Sequence, residues 1–515
     1  MNRYDRRAIL KRSLALSAGS LVAASPFAAT SDAVAVPTKH SREHAPFQPT
    51  WNSLRNIPTP RWLRNGKFGI YTHWGVYSVP AFGDNGTWYA HNMYTKPDSP
   101  ERKHQEATYG PLNKFGYKDF IPMFNGKNFD ADEWADLFKK AGARFAGPVA
   151  EHHDGFAMWN TKYSKWNAAA MGPKRDVVGE LSKAIKKRDM KFLTAFHHAE
   201  HWFYFPTWDK RYDVSDPRYA GLYGKSHAPD ALPSKEFLDL WKAKLIEVVD
   251  NYGPDVVWFD YGLELIRQDY KKTFLAYYFN KAAAEGKQVT VTYKDHDFVP
   301  GVGINDLELG RELNMTYCEW ITDTTIDSGS AWGYVQSVGF KSADELVHGL
   351  IDRVSKNGFL LLNVGPKPDG TIPEPAKERL LALGDWLRIN GEAVYDTSPW
   401  LVAAEGPTQL KKGGQFNEDN SLRYAAQDIR FTCNGNALYA TVLAWPGEHA
   451  AIKSFVPDGE TWAGLYPSEI SSITMLGDGK PLAWHQTHEA LIVSTPKQKP
   501  CDHAFVFKIS LKEPF

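Results

Sequence analysis

Phe145-Ala146-Gly147-Pro148-Val149-Ala150 runs directly into Glu151-His152-His153-Asp154-Gly155. An unbroken apolar run ended by ionisable residues and a glycine has the form of a strand buried on both faces, as in a parallel sheet. The form recurs on either side. Phe68–Thr72 leads into His73-Trp74-Gly75, Phe192–Phe196 into His197-His198, and Val256-Val257-Trp258-Phe259 ends on Asp260. Val289–Tyr293 ends on Lys294 and His296, and Phe359–Val364 closes the series.

Amphipathic helices are expected between these runs. Asp130 with Glu133 makes a capping pattern ahead of Trp134, Leu137, Phe138 and Ala141, and Gly142 stops the helix. Ser234 opens a second helix, with Phe237, Trp241, Leu245 and Val248 on one face and Gly253-Pro254 at its end. Ser342 with Glu345 opens a third, ended near Asn357-Gly358. Strand–helix alternation on this scale predicts a parallel barrel or a doubly wound sheet. No G-x-G-x-x-G turn or P-loop is present, which favours a (β/α)₈, TIM-like barrel.

Beyond Trp400 the texture changes. Ala437–Ala444, Ser471–Leu476, Ala490–Ser494 and Ala504–Leu511 are short and strand-like, separated by Gly, Pro and Asn. They predict a C-terminal antiparallel β-sandwich. At the other end, Arg6-Arg7 precedes an apolar stretch from Leu14 to Ala29 and Ala33-Val34-Ala35. This resembles a twin-arginine export signal with a cleavage site, and predicts an exported, periplasmic or secreted protein. The expected order is an export signal over 1–35, a linker over 36–57, a barrel over 58–397 and the sandwich over 398–515.

Composition narrows the function. Lys plus Arg and Asp plus Glu both number 60 in 515 residues, so nothing in the charge favours nucleic acid or an anionic membrane as partner. No later apolar run is long enough to span a bilayer. Three cysteines, Cys318, Cys433 and Cys501, form neither a metal-ligand spacing nor a disulfide framework. The 18 tryptophans fit either a large core or flat faces that stack on sugar rings. The sequence leaves oligomerisation open.

A barrel keeps its chemistry at the C-terminal ends of its strands. His73, His152, His153, His197, His198, Asp260, Lys294 and His296 all fall there. Neutral donors, aromatics and two carboxylates suit glycoside hydrolysis, in which one carboxyl protonates the leaving oxygen and the other attacks or activates water. Asp260 is the expected nucleophile. Glu308, following the Val289–Tyr293 strand, is the expected acid/base, with Glu312 as the alternative and Glu319 behind it.

Further motifs carry a family resemblance. Gly66-Lys67-Phe68-Gly69-Ile70, His73-Trp74-Gly75-Val76-Tyr77-Ser78-Val79-Pro80, His152-His153-Asp154-Gly155-Phe156 and Gly172-Pro173-Lys174-Arg175-Asp176 occur in order. Trp258-Phe259-Asp260, Trp332-Gly333-Tyr334, Leu361-Leu362-Asn363-Val364-Gly365-Pro366 and Asp369-Gly370-Thr371-Ile372-Pro373 follow. Together they are similar to glycoside hydrolase family 29, the α-L-fucosidases. The resemblance implies a retaining mechanism with Asp260 as nucleophile, and a fucosylated oligosaccharide or glycoconjugate as substrate. It implies hydroxyl contacts from His73, His152 and His153, with Trp332 against the sugar's C6 methyl and Trp88 also matching. It implies no metal and no organic cofactor. The chain departs from the pattern at Thr87, where many members have Glu, and at Glu151, where Lys is common.

Two rival readings remain. His197-His198-Ala199-Glu200-His201 matches the H-x-x-E-H of a zinc peptidase, but it directly follows a strand instead of lying within a helix. One or more of its residues, His198 among them, is expected to line the sugar pocket. A non-catalytic fucose-binding protein on the same fold is the other alternative.

Overall fold

A computed structural model of the protein describes residues 47–83, 85–329, 331–419, 421–457 and 463–514. The expected export signal lies outside the described residues.

Eight strands close into a parallel barrel in chain order: β1 (Phe68–Thr72), β2 (Phe145–Glu151), β3 (Lys191–Phe196), β4 (Val256–Phe259), β5 (Thr290–Lys294), β6 (Ile304–Asp306), β7 (Trp320–Thr325) and β8 (Gly358–Val364). β8 pairs back on β1, with Phe68 opposite Leu360. Alternation along each strand separates two cores. Tyr71, Phe145, Val149, Leu193, Trp258, Ile321, Phe359 and Leu361 belong to one cluster, which fills the barrel. Ile70, Ala146, Val257, Phe259, Leu360 and Leu362 belong to another, under the surrounding helices. Gly147 is required where β2 crosses β3, because a Cβ there would lie 1.7 Å from the Leu193 carbonyl oxygen.

Among the described residues, six helices of ten residues or more follow strands of the barrel: α1 (Ala131–Lys140), α2 (Val177–Lys186), α3 (Lys235–Tyr252), α4 (Gln268–Ala284), α5 (Ala343–Ser355) and α6 (Glu374–Asn390). Their starts follow local chemistry. The Asp130 side chain accepts from the Asp132 and Glu133 amides, and Ser342 and Glu345 form a reciprocal capping box. α3 ends on Gly253 in the left-handed conformation. β6 and β7 were not among the strands expected from sequence. β6 has three residues, Ile-Asn-Asp, and β7 reads Trp-Ile-Thr-Asp-Thr-Thr. Both are too short or too polar to register as apolar runs, because their side chains are spent on a buried ion cluster.

The C-terminal domain has a five-stranded antiparallel sheet, β13-β16-β11-β10-β9, and a three-stranded sheet, β12-β15-β14. Its strands are β9 (Ser398–Glu405), β10 (Ile429–Asn434), β11 (Ala437–Val442), β12 (His449–Ile452), β13 (Ile470–Met475), β14 (Trp484–Gln486), β15 (Leu491–Ser494) and β16 (Phe505–Leu511). Phe431, Leu438, Ile452, Phe455, Val493 and Phe507 share the core of the sandwich. No helix among the described residues is long and apolar enough to cross a membrane.

Buried polar contacts join the domain to the barrel. The Trp386 indole on α6 donates to the Ala504 carbonyl at 2.9 Å. Asp352 on α5 accepts from Arg430 of β10 at 2.7 Å and from Lys356 at 2.9 Å. Burial alone would raise the Asp352 carboxyl, yet Arg430 and Lys356 hold it well below the usual range. Removing one member of a buried ion cluster strands its partners without counter-charge. Asp352→Ala is therefore expected to cost about 3–5 kcal/mol, read as a lowered Tm by calorimetry. An unchanged Tm would show that the cluster does not hold the two domains together.

Candidate active site

All eight strands bring a polar side chain to the C-terminal mouth. His73 follows β1, His152 and His153 follow β2, His197 follows β3 and Asp260 follows β4. Lys294 ends β5, Asp306 ends β6 with Glu308 two residues on, Asp323 lies in β7 and Asn363 in β8.

Asp260 is held by two histidines. His197 Nδ1 lies 2.9 Å and His153 Nε2 3.3 Å from the same oxygen, Oδ2. Burial alone would raise this carboxyl, but the two rings hold it well below the usual range. His153 Nδ1 donates to the His197 carbonyl at 2.8 Å, and its Nε2 also lies 3.3 Å from Glu200 Oε2. A ring that donates from Nδ1 and faces two carboxylates with Nε2 carries both protons. Burial opposes that charge, but Glu200 and Asp260 raise the ring's pKa. Gly262 makes the arrangement fit: at φ +98°, it lets the loop after β4 lie against Glu200, where a Cβ would come within 2.7 Å of the Glu200 amide.

The other three rings stay neutral. Burial holds His73 and His152 well below the usual histidine pKa, and lowers His197. Asn363 orients His73. Its Oδ1 accepts from the His73 backbone amide at 3.1 Å and from the ring's Nδ1 at 2.8 Å, while its Nδ2 donates to the Trp332 carbonyl at 2.7 Å. The two backbone partners fix the amide's orientation, so His73 Nδ1 is the donor and Nε2 is left as an acceptor. His197, donating from Nδ1 to Asp260, likewise keeps Nε2 as an acceptor, buried without a partner among the described residues. The rings of His152 and His197 stack at 4.4 Å. Trp332 lies 5.3 Å from His73, and Trp88 lies 5.3 Å from His153.

On the opposite side, Lys294 is fully buried. Its ammonium lies 2.7 Å from Asp323, 3.5 Å from Asp306 and 3.6 Å from Glu308 Oε2, over the face of Trp258. Burial and the Asp323 charge push the Asp306 carboxyl well up. Glu308 is braced from the segment between β9 and β10. Its amide donates to Gln415 Oε1 at 2.5 Å, its carbonyl accepts from the Phe416 amide at 2.8 Å, and Gln415 Nε2 donates to the Asp306 carbonyl at 2.9 Å.

Several expectations need correction. His198 does not face the mouth. Its Nδ1 bonds Glu151 at 2.5 Å and its ring lies between His201 and Phe237, because successive residues at a strand end point to opposite faces. His197 takes the inward place. Glu151 also accepts from Lys244 at 2.7 Å; burial would raise it, but His198 and Lys244 hold it down at about 2. Lys294 is a buried counter-ion, inaccessible to a sugar. His296 is exposed in the turn after β5. His153 has both nitrogens engaged by protein. The carbonyl of Glu312 accepts from Lys356, next to the start of β8, and Glu319 pairs with Arg64 at 2.5 Å ahead of β1. Both therefore lie toward the N-terminal face of the barrel, leaving Glu308 on the side of Asp260.

The peptidase geometry is not formed. His197 turns to Asp260, whereas His201 Nδ1 bonds the His153 carbonyl at 2.6 Å. Among the described residues, His73 with His152 and His197, and His153 with His197 and Asp260, are close enough to hold a metal ion. Glu200, Asn363, Gln415, Asp306 and Asp323 were not identified by sequence reasoning as parts of a sugar site. Asn363 lies within Leu361–Pro366 and Glu200 within His197–His201, whereas Gln415, Asp306 and Asp323 carry no local signal.

Comparison with known proteins bears on this site. The family model described as Alpha-L-fucosidase matches residues 34–392, and that described as Alpha-L-fucosidase C-terminal domain matches residues 423–510. The tissue α-L-fucosidase of Rattus norvegicus is 32% identical over 464 residues, covering 88% of this chain and 89% of the relative. The plasma α-L-fucosidase of Homo sapiens is 32% identical over 473 residues, covering 88% and 90%. The crystal structure of Thermotoga maritima α-fucosidase superposes with a TM-score of 0.72 at 32% identity, covering 90% of this chain and 100% of that one.

The charge assignment is open to direct measurement. By ¹⁵N NMR of the imidazoles, His153 should titrate above the ordinary histidine value of about 6.5, and His73, His152 and His197 below it. Glu200→Gln should move His153 downward. A His153 already neutral at pH 6 would contradict the assignment.

Proposed function

The chain belongs to the α-L-fucosidase family and is an α-L-fucosidase, and from that premise we propose that it acts as a retaining exo-enzyme with Asp260 as nucleophile and Glu308 as acid/base. The single observation that carries this reading is the shared hold of His197 and His153 on one oxygen of Asp260. That hold keeps the carboxylate ionised and leaves Oδ1 for attack.

In the first step Asp260 Oδ1 attacks the anomeric carbon of a terminal fucose. The glycosidic C–O bond breaks and Glu308 gives its proton to the departing oxygen. In the second step Glu308 takes a proton from water, whose oxygen displaces Asp260 and releases fucose. His73 Nε2, His152 and His197 Nε2 are suited to the sugar hydroxyls, and the faces of Trp332 and Trp88 to its apolar parts. The buried rings of Tyr71 and Trp258 pack against His73 and His197 and close the barrel beneath them, which supports cleavage at a chain end. Thr87, where relatives often carry a glutamate, is buried and donates to Asn85 Oδ1 at 2.6 Å. Glu200, beside His153, offers a carboxylate that Thr87 does not. Because the chain is an enzyme, the non-catalytic alternative falls.

The acid/base assignment separates Glu308 from Glu312. A general acid matters most for a poor leaving group. Glu308→Ala should lose about 10²-fold or more on a natural disaccharide and far less on an aryl fucoside with an acidic phenol. With the aryl substrate it should show a burst as fucosyl-enzyme accumulates. Glu312→Ala should show neither effect. The reverse pattern would exchange the two roles.

We also propose export by the twin-arginine route, supported by Arg6-Arg7 ahead of the apolar stretch. Replacing both arginines with Lys should leave precursor in the cytoplasm. Normal maturation of that variant would indicate the general secretory route.

A further inference from the structure

We propose that the cleft between α5 and the C-terminal domain is a second binding site, built on Arg311, for a tetrahedral oxyanion: sulfate or phosphate, free or as an ester on a sugar. The cleft encloses about 640 Å³ and is lined by Arg311, Lys341, Arg353, Glu418, Tyr424 and Trp445, among others.

Arg311 is only 7% exposed. Among the described residues its guanidinium has neither a hydrogen bond nor an ion pair, and its Nε is buried without a partner. The carboxylate expected to serve it is already committed. Glu418 accepts from Lys341 at 2.7 Å, from Arg353 at 3.0 Å and from Thr324 at 2.6 Å. The two carboxylates behind are also taken: Asp352 by Arg430 and Lys356, and Asp428 by Thr408 and the Ala425 amide. Lys341 and Arg353 thus share the charge of Glu418, and Lys356 and Arg430 that of Asp352. Burial and the neighbouring Arg353 charge both disfavour the Arg311 cation as it stands.

Buried charge is retained where something compensates it. A planar guanidinium beside a second one presents a fork of donors matched to a tetrahedral oxyanion. At the rim of the cleft, Asp344, Asp419 and Asp502 are exposed beside Arg423 and Lys499. A rim of mixed sign leaves the approach of a compact anion open. The cleft exceeds the volume of a sulfate, and half-buried Trp445 gives the remainder an aromatic face for a sugar.

Calorimetry of the full chain tests this, with sodium sulfate against sodium chloride at matched ionic strength. Saturating L-fucose keeps oxyanions from the active-site histidines. About 10 mM sulfate should raise the wild-type Tm by about 1–3 °C. Arg311→Met should show only the general salt effect common to both proteins. Galactose 6-sulfate against galactose identifies the source: binding about tenfold tighter than inorganic sulfate assigns a sugar ester, and equal binding assigns the free anion. Either result supports the shared chemistry. Equilibrium dialysis of the wild type with radiolabelled sulfate needs no variant and should read one site per chain. A wild type that binds no sulfate, or an Arg311→Met protein that keeps the full shift, would overturn the proposal.

Discussion

A carboxylate buried at the mouth of a barrel must be kept ionised if it is to attack carbon, and much of the surrounding structure follows from that requirement at Asp260. Desolvation pushes such a group toward its neutral form. Here His197 and His153 oppose it from the two preceding strand ends, both on Oδ2. Each ring is itself set by another contact. The His197 carbonyl takes the His153 Nδ1 proton, and Glu200 stabilises the resulting imidazolium. Parallel strand order is what places these groups side by side, since β2, β3 and β4 are consecutive neighbours. A doubly wound sheet would not bring the far strands, with His73 and Asn363, around to the same pocket.

The opposite wall solves a different electrostatic problem. In the proposed mechanism Glu308 alternates between protonated and ionised forms, and it stands at the edge of a buried cluster of one ammonium and two further carboxylates. Lys294 supplies the fixed positive charge, and Asp306 and Asp323 are tied by Trp258 and Tyr71. The backbone of Glu308 is positioned by Gln415 and Phe416, which lie beyond the barrel in sequence. The C-terminal domain therefore contributes to the site, and loosening the joint between the domains should reach Glu308.

How much of this was legible in the sequence depended on length of signal. β1, β2, β3 and β4 announce themselves as largely apolar runs ending in ionisable residues, and the positions of His73, His152 and Asp260 at strand ends follow from that pattern. β6 and β7 do not, because their polar side chains form the Lys294 cluster and break the apolar pattern. The substitution of His197 for His198 is a question of one residue in phase, and a strand end in sequence does not say which of two adjacent histidines points inward. Glu200 was noticed for the wrong chemistry. Its partner is a histidine from another strand, a pairing that no spacing along the chain encodes. Gln415 illustrates the same limit over a longer separation.

In the proposed mechanism Asp260 forms the covalent bond to the sugar. The most direct measurement is to inactivate the enzyme with a 2-deoxy-2-fluoro-fucosyl fluoride, digest it, and locate the adduct by tandem mass spectrometry. One fluorofucosyl group is expected, on Asp260. An adduct on Glu200 or Glu308, or turnover with no adduct under conditions that slow deglycosylation, would contradict it.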